Sequence, residues 1–264
     1  MGVFDEPLFQ AYRTRILALA EEHALAVVGA RLPSPDVASL DRLENLVTAL
    51  GVFADESEHP ELAQAPLVFD GYSAGGCFAY AFTRRHPERV IGFWTQKGGC
   101  HDGRDGGAAK QVPGFLIIGG ADTESRCLNL TELFENNRPA GALWGLAVQP
   151  GAGHERMLDV GLLFSWMDAV LEQRLPEAPA PGASLRPISE ESGWLGNPET
   201  GAVASFEDYD GVKTQASWLP SAEAAQGWSA FVSPGRALGC PADDPNDPLS
   251  SAGRPRSGRG LHDG

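Results

Sequence analysis

Apolar residues recur at three- and four-residue steps from Pro7 to about His23, through Leu8, Tyr12, Ile16, Leu17 and Leu19. That spacing predicts a helix with one buried face. The next stretch, "ALAVVGARL" (24–32), is a short apolar run with valines at its centre, closed by "PSP". It reads as a buried parallel strand. Leu40, Leu43, Val47 and Leu50 then mark one side of a second helix, with Gly51 as its stop. The alternation continues through strand 66–70, helix 74–86, strands 90–95 and 114–120, a helix near 127–136, strand 144–149 and helix 156–175. Strands alternating with helices build a mostly parallel sheet covered by helices on both faces, so the expected class is α/β.

The pattern breaks at "PEAPAPGASLRP" (176–187), a proline- and alanine-rich linker. Residues 188–233 hold Trp194, Trp218 and Trp228 with little helical or strand period. We read them as an irregular extension pinned to the main domain (1–175) by its indoles, which would equally suit the wall of a substrate groove. Residues 234–264, rich in Gly, Pro, Ser and Asp, cannot bury much apolar surface and are expected to be disordered.

Composition narrows the partners. With 35 acidic against 20 basic residues, a net charge of -15 and no offsetting basic stripe, the chain is a poor neutraliser of phosphates, and nucleic acid is not expected as a partner. No apolar run is long enough to span a bilayer. Cysteines at 77, 100, 127 and 240 have no CxxC spacing, which argues against a zinc ribbon or disulfide scaffold. One bridge is open to the chain, with Cys100–Cys127 as the candidate, while Cys77 reads as a small buried apolar residue.

The chemistry concentrates at "FDGYSAGGC" (69–77). Gly71-Tyr72-Ser73-Ala74-Gly75 matches G-x-S-x-G after a strand and before a helix, the context in which that motif turns a serine hydroxyl out over the sheet's carboxyl edge. Glycines at 71 and 75 are expected to permit the turn, and the Ala74 amide at the helix N-terminus to face a developing oxyanion. A serine needs a base, and the base an orienting acid. Asp122 follows strand 114–120, and His154, in "PGAGHE", follows strand 144–149. The order Ser, acid, His fits, with Glu124 as the alternative acid, and either carboxylate could instead cap the following helix. His101, beside Asp102, suggests a metal pair but has no third ligand at a fitting interval, so a solvated loop is expected. The sequon "NLT" at Asn129 carries weight only in a secreted protein.

Through "GYSAGGCFAYAFTRRHPERV", "PGFLIIGGADTE" and "QPGAGHE", residues 1–175 resemble the α/β-hydrolase superfamily, and within it look like polyhydroxybutyrate-depolymerase-like or dienelactone-hydrolase-like serine esterases. The resemblance implies Ser73 as nucleophile, His154 as base, Asp122 as orienting acid, an ester substrate of small or polymeric kind, and no metal or organic cofactor. It also implies three strands ahead of the first helix, where this sequence has only "MGVFDE". The loop of the missing third strand would carry the second oxyanion amide, for which Gly2 or Val3 is the remaining candidate. A start site placed too far downstream is the favoured explanation, with a short natural form as the other. The amphipathic, acidic N-terminus does not read as a signal peptide's basic and then apolar layout; a cytoplasmic protein is expected as given, or a secreted one if the product is longer. The competing functional expectation is a hydrolase-like scaffold that binds a ligand or partner without catalysis. Substrate identity and oligomeric state are not legible.

Overall fold

Four strands, β1 (Leu67–Tyr72), β2 (Val90–Gln96), β3 (Gly114–Gly119) and β4 (Trp144–Gln149), pair in that order and all in parallel. The computed structural model describes residues 6–29, 37–103, 105–158, 160–177 and 182–232. Helices α1 (Glu6–Glu22) and α2 (Leu40–Ser57) precede β1, α3 (Ala74–Arg85) joins β1 to β2, α4 (Glu124–Asn137) joins β3 to β4 and α5 (Val160–Arg174) follows β4, with a short 3-10 turn (Gly107–Gln111) between β2 and β3, which makes this an α/β protein. Side chains alternate across the sheet with period two. Phe115, Ile117 and Trp94 pack with Tyr12 and Leu19 of α1 and with Trp166 and Val170 of α5. On the other face Leu116, Ile118 and Phe93 pack with Leu43 of α2, Phe78 and Phe82 of α3, and Leu130 and Phe134 of α4. Both faces are thus dry, which is why the strands read as nearly continuous apolar runs.

Three expectations change. The described part of the run 24–32 is not a buried strand: residues 25–29 have no strand pairing, and Val27 and Val28 are 59% and 49% exposed. A short apolar run becomes a strand only where an edge accepts it. Here the chain leaves α1 through Ala24 at φ 52°, with the Leu25 amide bonding back to the Ala20 carbonyl. Among the described residues no strand covers the outer edge of β1. Gly51 does not stop α2, which runs on to Ser57 and ends where Glu58 turns left-handed at φ 59°. A helical glycine costs only about 1 kcal/mol, and burial of Leu50 and Ala54 on either side of it outweighs that.

The extension is not irregular. Strand β5 (Trp194–Gly196) pairs antiparallel with β6 (Val203–Ser205) and β7 (Ser217–Leu219), and α6 (Ala222–Phe231) follows. Three-residue strands are too short to show a period. Trp218 and Trp228 are fully buried, so they pin the extension and do not line a groove. The Trp228 indole donates to the Leu146 carbonyl (2.8 Å), and the Ser217 hydroxyl donates to that carbonyl and accepts from the Leu146 amide, each at 3.0 Å. The outer side of β4 is thereby capped. Before it, Arg186 and Arg174 exchange backbone and guanidinium hydrogen bonds, so the second half of the linker lies back along α5. The expected disordered tail, 234–264, lies outside the described residues. No described helix is long and apolar enough to cross a membrane.

Candidate active site

Ser73 sits between β1 and α3 at φ 53°, ψ -120°, a conformation that non-glycine residues rarely adopt. What holds it there is backbone. The Ser73 amide donates to the Gln96 carbonyl (2.8 Å), extending the β1–β2 ladder by one residue, and the amides of Gly76 and Cys77 close the first turn of α3 onto the Ser73 carbonyl. A Cβ on Gly71 would lie 2.4 Å from the Gly75 carbonyl oxygen, and one on Gly76 2.3 Å from the Thr95 hydroxyl. At Gly75 a Cβ would meet open space. The turn therefore depends on Gly71 and Gly76, and the expected role of Gly75 is corrected.

The structure brings together the three residues that the sequence order singled out. His154 lies in the turn between β4 and α5, its Nε2 3.0 Å from Ser73 Oγ and its Nδ1 2.8 Å from Asp122 Oδ2. Asp122 lies between β3 and α4; Glu124 opens α4, and it is Asp122 that meets the imidazole. The second oxygen of Asp122 accepts from the Thr123 amide and the Arg126 guanidinium, both at 2.8 Å. Burial alone would raise the Asp122 pKa, but the hydrogen bonds from His154, Thr123 and Arg126 outweigh it and hold the carboxyl below its ordinary value. In the tautomer this pairing favours, Nδ1–H donates to Asp122 and Nε2 accepts from the serine hydroxyl. Ala74 opens α3, where the first amides have no intrahelical acceptor. Gly2 and Val3 lie outside the described residues.

The neighbouring loop departs from expectation. Cys77 on α3 is bridged to Cys100, and Cys127 is an unbridged buried thiol directed at the Gly119 carbonyl. Pairing was open on spacing alone: α4 also passes this segment, with Arg126 against Gly99, but the Cys127 thiol turns to the Gly119 carbonyl and it is Cys77 of α3 that meets Cys100. His101 is not in a solvated loop: it is buried, with Nε2 3.0 Å from the Thr95 hydroxyl and Nδ1 3.0 Å from Asn129 Oδ1. Burial pushes its pKa down to about 4, against the hydrogen bond with Asn129 and one involving the Gly76 backbone. Asp102 turns away to Arg84 (3.1 Å). The amide of Asn129 donates to the His101 carbonyl (2.9 Å), so the sequon nitrogen is engaged in the fold. Among the described residues, one group of three metal-ligand types converges, Glu22, His23 and Asp168, on α1, the residue after it and α5, and its His23–Asp168 contact at 2.8 Å is an ordinary side-chain pair.

The chain matches no family model, no curated protein and no solved structure.

Proposed function

We propose that the protein is a serine hydrolase of the α/β-hydrolase type that cleaves carboxylic esters through an acyl-enzyme. The observation that carries the reading is the unbroken relay Ser73 Oγ, His154 Nε2, His154 Nδ1, Asp122 Oδ2, with links of 3.0 and 2.8 Å, on a serine held in strained backbone. Three residues from three separate strand-to-helix turns, after β1, β3 and β4, meet above the carboxyl edge of one parallel sheet, in the order serine, acid, histidine.

The geometry supports the following steps. His154 Nε2 takes the proton of Ser73 as Oγ attacks the ester carbonyl, and Asp122 holds the imidazolium that forms. The carbonyl oxygen becomes an oxyanion facing the Ala74 amide at the start of α3, where the helix dipole favours negative charge. The intermediate collapses, the alcohol leaves with the proton from His154, and water repeats the sequence to release the acid. No metal or organic cofactor takes part in these steps.

The test is covalent. A fluorophosphonate should label the wild type at Ser73 and turnover of an activated ester should vanish in folded Ser73→Ala. Undiminished turnover in that variant ends the reading; a folded wild type that neither labels nor turns over ester points to a binding scaffold instead.

A further inference from the structure

The turn that carries His154 has neither ladder nor helix to hold it, since it lies between the end of β4 at Gln149 and the start of α5 at Val160. It is held from the side. Four polar side chains at the ends of β1 and β2 reach four successive residues, 154 to 157. The Tyr72 hydroxyl donates to the His154 carbonyl (2.5 Å), and its ring lies 5.3 Å from the imidazole. The Lys97 ammonium donates to the Glu155 carbonyl (2.6 Å). Asp70 accepts from the Arg156 guanidinium and the Tyr12 hydroxyl. Gln96 accepts from the Met157 amide (2.9 Å) and donates to Asp70 (3.0 Å), which joins the set. Tyr72 and Gln96 are opposite one another in the β1–β2 register, with Asp70 two residues below on β1 and Lys97 directly after β2.

Two features mark Lys97 as more than a surface cation. Its side chain is fully buried, although a buried ammonium is costly unless partnered. Its backbone is left-handed, φ 51°, directly after β2, as that of Ser73 is directly after β1. The carboxylate of Glu155 lies 3.7 Å away, and that of Asp122 also acts on the ammonium. Strained backbone spent on a buried lysine, next to strained backbone spent on the serine, ties both to one arrangement.

We propose that Tyr72 and Lys97 are positioning residues that hold the imidazole of His154 in line with Ser73 by gripping the carbonyls of His154 and Glu155. The role rests on the hydrolase reading, but the grip itself does not.

Tyr72→Phe removes one oxygen, and Lys97→Met keeps the stem while removing the charge. In the full chain, kcat for an activated ester should fall about tenfold in the first and about a hundredfold in the second, with KM unchanged, because a small misplacement of a reacting group costs that much. In a His154→Ala background neither change should lower the residual rate further, since the grip acts only through that ring. Losses that simply add in that background overturn the proposal. So does a kcat within twofold of wild type in both variants; if Lys97→Met does not fold, Tyr72→Phe decides alone. Amide hydrogen exchange gives an arm independent of turnover: residues 153–158 should exchange at least about tenfold faster in Tyr72→Phe while residues 114–119 keep their rates. Unchanged exchange at 153–158 defeats the grip, whereas an inert, unlabelled wild type with this exchange pattern defeats only the hydrolase reading.

Discussion

The bridge between Cys77 and Cys100 closes a loop with 23 residues of sequence separation, and that loop contains most of α3 and all of β2. In the chain-entropy account, closing a loop of that length removes about 11 cal/mol/K from the unfolded ensemble, or about 3 kcal/mol at 25 °C. For a chain of this size each kcal/mol moves the melting temperature by about 2–4 °C, so Cys77→Ala/Cys100→Ala should melt about 6–12 °C below the oxidised wild type. Dithiothreitol should shift the wild type by the same amount and leave the double variant where it is. Pairing is read directly by alkylating unreduced, denatured protein: Cys127 should be modified, and Cys77 and Cys100 should stay blocked. Alkylation of Cys77, or a double variant that melts within about 2 °C of the wild type, would refute the reasoning. Such a bridge persists where thiols are not kept reduced, so expression in an oxidising compartment should yield the bridged form, and a reducing cytosol the less stable dithiol.

His101 adds a pH dependence of definite sign. Its pKa is about 4 in the fold and near 6.5 when unfolded, so the unfolded state binds the extra proton first and stability, full above pH 6.5, drains away as pH falls towards 4. The loss should approach about 3 kcal/mol by urea titration, and His101→Gln should flatten it; parallel pH profiles for the two proteins would dismiss the idea. The two outer positions of the serine motif should separate cleanly. Gly75→Ala, whose methyl enters open space on a helix, should raise stability by up to about 1 kcal/mol, whereas Gly71→Ala, whose methyl meets the Gly75 carbonyl at 2.4 Å, should abolish fluorophosphonate labelling of Ser73. Equal effects on melting and labelling would contradict that distinction.

Much of this was legible because the information is local. Apolar runs flanked by turns located β1 to β4 within a residue or two, and α1 and α2 followed from the 3.6 period, whereas the helix expected at 156–175 begins only at Val160, because residues 156–158 belong to the turn that carries His154. Ser73, Asp122 and His154 stood out because each lies just past the carboxyl end of a parallel strand, so sequence position alone dictated where the three would converge. What could not be read depends on partners far along the chain. Nothing near Cys77 names Cys100 over Cys127, and nothing near His101 shows that Thr95 and Asn129 will enclose it. The three strands of the extension are set by β4, through Leu146, and not by a period of their own.

The same contrast explains the residues around His154. Tyr72 and Lys97 look ordinary in sequence, one an unremarked position inside the serine motif and the other a lysine after an apolar strand. A lysine there argues for a solvated strand end on composition alone, because ammonium groups are rarely buried. Its burial becomes intelligible only once the turn at 154–157 is brought over the ends of β1 and β2, offering a carbonyl and a carboxylate at the same place. The sheet's parallel order is what brings it there: β4 is separated from β1 by two strands, and only a turn long enough to cross the tops of β3 and β2 can deliver His154 to Ser73. A turn of that reach has no regular hydrogen bonding of its own, so whatever function the site serves, its geometry has to be supplied by side chains from the strands it crosses.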